Sequence, residues 1–192
     1  MAINEQDIAN IVRNVLKGME TETPAAKKTA AAPKLNGIFE TPEEAIAAAK
    51  ENAKMLSELA VEETGMGNVG HKIIKHQLVA EKTPGTEDLT TIAWSGDRGL
   101  TLTEMGPWGV IGAVCPSTNP TCTVICNSIG MLAAGNAVVF MPHPSAKNCS
   151  NLAIDMVNRA SIEVGGPANI VTAVADPTME VSNYIFKHKD VD

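Results

Sequence analysis

Aromatic side chains are scarce in this chain: two Trp, one Tyr and three Phe among 192 residues, 3% in all. Proteins that hold single-stranded nucleic acid stack bases on such rings, so that mode of recognition is disfavoured. Basic residues are outnumbered, 15 Lys and Arg against 22 Asp and Glu, giving a formal net charge of −7. No concentrated basic face of the kind that grips a phosphate backbone is visible, and no nucleic-acid partner is expected. No apolar run reaches the about 18 residues of a spanning helix, so no membrane partner is expected. The first residues also lack the uncharged core and small-residue cleavage site of a secretory signal, which points to the cytoplasm. Cysteine is sparse, with four residues at positions 115, 122, 126 and 149. They sit in apolar or helical stretches, which argues for reduced thiols rather than a disulfide framework. Cys122 and Cys126 fall four apart on one helix, but no third and fourth ligand stands at a recognisable spacing, so no metal site is expected.

What is present suits a soluble globular protein with one main core: 44% hydrophobic and 19% charged residues. The first 19 residues form a unit of their own. Ile8, Ile11, Val12, Val15 and Leu16 recur at steps of three and four, the spacing of a single helical stripe on an otherwise polar helix. Asn4 serves as a cap, and Gly18 allows the helix to end. Residues 20–34 (ETETPAAKKTAAAPK) contain almost no large apolar side chain and read as a flexible linker. The helix is thereby detached, and one this short gains its order by docking, either on a partner's groove or back on its own domain.

The body, residues 35–192, opens with Thr41-Pro42-Glu43-Glu44, a helix start with Thr as cap and Pro at the first position. That helix runs to about Thr64 and ends at Gly65 to Gly67. A second helix covers 69–80. Strands rich in β-branched residues are expected at 90–94, 100–104 and 109–114. A helix from Thr121 closes at Gly135, a left-handed cap. Strand 137–141 is a continuous apolar run, as in a parallel strand buried on both faces. Helix 146–163, strand 169–174 and helix 179–186 complete a doubly wound, Rossmann-like α/β unit with a parallel sheet. Ligands in such sheets bind beyond the carboxyl ends of the strands. Here that means residues 115–120, residues 142–145 and whatever follows Val174. A standard Rossmann pyrophosphate turn of the G-x-G-x-x-G type is not expected.

Residues 107–120 (PWGVIGAVCPSTNP), residues 131–144 (MLAAGNAVVFMPHP) and the ETGMG turn at 63–67 together resemble the cofactor-binding core of the aldehyde dehydrogenases. The Pro-Ser-Thr-Asn-Pro and Pro-His-Pro spellings resemble the CoA-acylating branch, the acetaldehyde and propionaldehyde dehydrogenase type associated with bacterial microcompartments. The resemblance covers residues 35–192 and implies the N-terminal portion of an aldehyde-dehydrogenase-type NAD-binding domain. It implies NAD as cofactor and a short aldehyde and CoA as substrates, with acyl-CoA as product. The terminal helix is similar to encapsulation peptides. A microcompartment shell protein is then its implied partner through Ile8, Ile11, Val12, Val15 and Leu16, and the microcompartment lumen its implied compartment.

In this family an asparagine after the Gly-Val-Ile-Gly strand donates its side-chain amide to the oxyanion, a role for a neutral donor about 3 Å from developing charge. Asn119 is the asparagine of that loop. Aligning Pro116 and Pro120 with the family's prolines puts Thr118 there instead, and an Asn before Pro also starts a helix without any catalytic duty. The implied cofactor-binding residues are Pro116, Ser117, Thr118, Met141, Pro142 and His143. Met141 stands where the family commonly places a ribose-binding lysine. Cys115, beside this site, is the one thiol to test for alkylation.

Two segments common in the family have no counterpart here. The parts corresponding to residues 45–50 and 51–56 abut where a helical segment usually intervenes. The nucleophilic Cys, the general base and the catalytic domain are not found within these residues, so the chain alone is expected to be inactive as a dehydrogenase. The full-length parent is expected to be a homo-oligomer. The alternative from another class is a non-catalytic, cofactor-fold protein that acts as a microcompartment cargo adaptor or interaction module.

Overall fold

The computed structural model describes residues 42–192, with side chains from residue 50 onward. The expected helix at 1–19, with its stripe of Ile8, Ile11, Val12, Val15 and Leu16, and the expected linker at 20–34 lie outside the described residues.

Helix α1 spans Pro42–Thr64, with Pro at its first position, where the missing N–H costs nothing. It is unbroken at Lys50–Glu51, so the abutting segments form one continuous helix. Gly65, at φ +67°, ends it and donates its N–H to the carbonyl of Val61. Helix α2, Val69–Lys82, is capped by Asn68, whose side chain accepts from the N–H of His71. It runs two residues past its expected end. Strands β1 (Ile92–Gly96) and β2 (Gly99–Thr103) form an antiparallel hairpin, a two-stranded sheet of its own.

The parallel unit follows as β3 (Val110–Val114), α3 (Pro120–Ala133), β4 (Ala137–Met141), α4 (Lys147–Glu163), β5 (Val171–Ala173) and α5 (Met179–Ile185). Its strand order is β3-β4-β5, with all pairs parallel. This is the expected doubly wound, Rossmann-like α/β arrangement. Gly135, at φ +82°, closes α3 as expected: its N–H bonds the carbonyl of Leu132, and that of Asn136 bonds Met131, the paired bonds of a Schellman motif. Several expected boundaries shift, and β1 lies two residues later than expected. Asn169 is left-handed, at φ 63°, which no strand admits, so β5 shrinks to three residues. Residues Pro144–Ala146 wind as a 3₁₀ turn, so α4 starts at Lys147.

The register explains the burial. Ala113 pairs with Phe140 and Ile111 with Val138, so these side chains share one face. On that face Ala113, Cys115, Val138, Phe140 and Val171 pack with Leu56, Val124, Ala153 and Ile154, which brings α1, α3 and α4 onto it. The opposite face receives the end of the chain. A Cβ on Gly112 would come within 3.0 Å of Val191 and 3.2 Å of Ile185, so any larger residue would press on both side chains. Asp192 donates to the carbonyl of Val110 and accepts from the N–H of Gly112, lying beside β3 in the manner of a further strand.

Candidate functional site

The carboxyl ends of β3, β4 and β5 lie at one edge of the sheet, and three loops leave from it. The first, residues 115–119, is held down by α2. Lys72, only 5% exposed, donates from Nζ to the carbonyl of Thr118 at 3.2 Å. Lys75 Nζ donates to Asn119 Oδ1 at 2.9 Å. A lysine can only donate, so the amide oxygen of Asn119 faces it and the Nδ2 group is turned away. Asn119 occupies the cap position of α3 but makes no side-chain capping bond there.

Beneath this loop His76 joins three helices. Its Nε2 lies 2.8 Å from Thr121 Oγ1 in α3, and its Nδ1 lies 3.0 Å from Ser57 Oγ in α1. Ser57 already donates its one proton to the carbonyl of Ala53 at 2.7 Å. Nδ1 is therefore the donor to Ser57, and Nε2 accepts from Thr121. The network needs a neutral ring. Burial pushes the His76 pKa down, and the charge of Lys72 pushes it the same way.

The second loop carries Met141, Pro142 and His143. Met141 is 1% exposed and lies on the Gly112 face, where a thioether brings no strong donor to a ligand; Pro142 is also buried. His143 is exposed. Its Nδ1 accepts from the Ser145 N–H at 3.2 Å and sits 2.8 Å from Ser145 Oγ, which leaves Nε2 as the outward nitrogen. The amides that open α4 are already occupied: Glu63 accepts from the N–H groups of Asn148 at 2.9 Å and Cys149 at 2.8 Å. Partial burial raises the Glu63 pKa, but those amide bonds outweigh it and hold the carboxyl below its ordinary range. The third loop places Asp176 2.8 Å from Lys147 Nζ. That hydrogen bond lowers the pKa of Asp176 and raises that of Lys147.

The chain matches the model of the aldehyde dehydrogenase family over residues 1–192. It belongs to that family. An acetylating acetaldehyde dehydrogenase of Bilophila wadsworthia (strain 3_1_6) is 44% identical over 218 aligned positions, covering 98% of this chain and 45% of the relative. The chain thus spans about half the length of the curated relatives it matches. Because the aligned positions outnumber its 192 residues, the relative carries residues within the matched span that this chain lacks. A mutant propionaldehyde dehydrogenase from the Clostridium phytofermentans fucose utilisation bacterial microcompartment is 63% identical, with a TM-score of 0.71, over 76% of this chain and 34% of that one. The Rhodopseudomonas palustris propionaldehyde dehydrogenase, solved with bound CoA and an acylated cysteine, is 54% identical, with a TM-score of 0.72, over 74% of this chain and 33% of that one.

Within this aldehyde dehydrogenase fold, the thiol singled out for an alkylation test is enclosed. Cys115 is 0% exposed, and burial pushes its pKa up to about 12; its backbone N–H completes the β3–β4 ladder on the carbonyl of Met141. It is a core residue and not a target for alkylation. The chain does spell one G-x-G-x-x-G, Gly65-Met66-Gly67-Asn68-Val69-Gly70, but it joins α1 to α2 and follows no strand. The dinucleotide turn needs a strand before it. Lys72, Lys75 and His76 carry the organisation of the first loop, and sequence reasoning passes over them. Their signal is the spacing i, i+3 and i+4, which sets all three on one face of α2.

Proposed function

We propose that this chain forms the nicotinamide-cofactor side of a CoA-acylating aldehyde dehydrogenase, an oxidoreductase that converts a short aldehyde and CoA to acyl-CoA with reduction of NAD. Membership of the family and the similarity to acylating relatives support the reaction class. One contact supports the assignment of Asn119 most directly. With Oδ1 held by Lys75 at 2.9 Å, the amide presents its Nδ2 protons as a fixed, neutral donor pair, the chemistry an oxyanion requires. Thr118 is the register alternative, and its own backbone is fixed by Lys72.

The residues at the strand ends fit a dinucleotide. Lys147 and His143 offer donors, Asp176 offers an acceptor, and all three are at least partly exposed. In this reading Pro116, Ser117 and Thr118 border the site from β3, and Met141, Pro142 and His143 from β4. The α4 amides take no phosphate, because Glu63 holds them. NAD bound here would supply the hydride acceptor for oxidation of the aldehyde carbon. Burial raises the pKa of Cys115 and Cys149 to about 12 and raises that of Cys122 too, and a protonated thiol is a poor nucleophile, so none of these three is proposed as the thiolate that attacks the aldehyde. The whole protein is proposed to be a homo-oligomer in a microcompartment lumen, with residues 1–19 contacting a shell protein.

Calorimetric titration of the 192-residue chain with NAD, and separately with CoA, tests the reading. Saturable heat with NAD is expected. No heat with either would overturn it in favour of a non-catalytic adaptor.

A further inference from the structure

One face of α2 grips the first loop and the start of α3 at three points. Lys72 donates to the carbonyl of Thr118 at 3.2 Å, Lys75 donates to Asn119 Oδ1 at 2.9 Å, and His76 Nε2 lies 2.8 Å from Thr121 Oγ1. Asn119 is bracketed on both sides. Of the three gripping groups, only the imidazole belongs to a residue type whose charge ordinarily changes between pH 5 and 8. Ser57, His76 and Thr121 are all buried, and both ring nitrogens are engaged, so a charge gained by the ring has no water to stabilise it.

The surrounding groups give an added proton little support. α2 itself brings two ammonium groups, Lys72 one turn away and Lys75 next in sequence, and residues 116–119 bring no titratable group. From α3 comes the buried thiol of Cys122, beside Thr121. From α1 comes the neutral Ser57, whose neighbours Lys54 and Glu58 are exposed and pair with each other at 3.7 Å. Among the described residues no carboxylate forms an ion pair with Lys72 or His76. A proton on Nε2 therefore does two things: it removes the acceptor of the Thr121 hydroxyl, and it sets a second buried cation near Lys72. Lys72 relieves the repulsion by moving its head outward, and the bond it gives up is the one to Thr118. Burial lowers the His76 pKa most, the Lys72 carbonyl pulls it up and the Lys72 charge pulls it down, with the balance below 6.5; acid thus favours the released state over the gripped one. We infer that α2 is a pH-operated clamp: protonation of His76 frees residues 118–121 while the parallel sheet stays folded. The switch belongs to the chain itself, and only its consequence, withdrawal of Thr118 and Asn119 from a substrate in acid, rests on the proposed function.

The test follows amide and imidazole chemical shifts of the isotope-labelled chain from pH 8 to 4.5, without nucleotide, in wild type, His76→Gln and Lys72→Met, with circular dichroism to establish that each is folded. In the wild type the amides of Thr118, Asn119 and Thr121 should shift together with the His76 ring at one midpoint below 6.5, while those of β4 stay in place. In His76→Gln that transition should vanish. In Lys72→Met the His76 midpoint should rise, since a like charge is gone, and the Thr118 amide should no longer follow it. Loop amides that do not move in the wild type, that move apart from the His76 midpoint, or that titrate unchanged in His76→Gln would overturn the inference. Loss of the β4 amides at the same midpoint would overturn it too, because the chain would then be unfolding and not releasing a loop. Should His76→Gln not fold, Lys72→Met decides, and an unmoved His76 midpoint there overturns the inference. No nucleotide enters the test, so its failure leaves the proposed cofactor site standing, and failure of that site leaves the clamp standing.

Discussion

Both ring nitrogens of His76 are committed while the ring is neutral, so a proton can be added only by breaking the bond to Thr121 or by turning that hydroxyl around. Because its folded pKa lies below the ordinary 6.5, the unfolded chain takes up the proton first. Stability is therefore full above about pH 6.5 and falls as pH drops from there toward the lowered folded value. Urea unfolding followed across pH 5 to 8 should show a midpoint that declines on the acid side. His76→Gln should be less stable at neutral pH but should lose that part of the slope. An identical acid-side slope in the variant would show that another group is responsible. None of this was legible from the sequence, because a histidine on a helix gives no sign of what it meets across a fold; Ser57 and Thr121 are 19 and 45 residues away. The place of Asn119 in its loop was legible, but its contact with Lys75, 44 residues away, was not.

At the scale of elements, α4 begins without a cap of its own: Ala146 occupies the cap position and makes no side-chain bond. Glu63, at the end of α1, supplies the missing acceptor and also complements the positive end of the helix dipole. Glu63→Gln keeps one acceptor but loses the charge, and a cost of about 1 kcal/mol at neutral pH is expected, the usual scale of a lost helix cap. Since the folded pKa of Glu63 is lowered from 4.5, the difference between wild type and variant should shrink as pH falls below that value. A difference that stays constant down to pH 3 would assign the effect to packing instead. The helices and strands themselves follow from apolar periodicity, from Pro42 at a helix start and from Gly135 at a helix end. The shortened β5 does not, because nothing local forces Asn169 into the left-handed region. The hairpin is similar in this respect. Its strands are plain in the sequence, yet Trp94, Leu100 and Leu102 stay more than half exposed, and periodicity alone says nothing of what covers them.

Across the whole molecule, one edge of the parallel sheet collects the polar groups that the core leaves over. Cys115, Val138, Phe140 and Val171 fill the interior, while Thr118, Asn119, His143, Lys147 and Asp176 stand at the strand ends or just beyond them. That division follows from topology, since parallel strands bring every carboxyl end to the same side. The order of elements in the sequence therefore pointed to this edge as the candidate site, and the family motifs suggested a chemistry for it. The contacts between distant elements that hold the site in shape required the structure. The central claim is that this edge binds a nicotinamide dinucleotide, and amide chemical shifts of the 15N-labelled chain on titration with NAD test it most directly. Saturable shifts clustered at residues 115–119, 142–147 and 174–178 are expected; no shifts, or shifts confined to the hairpin or to the outer faces of α1 and α2, would contradict it.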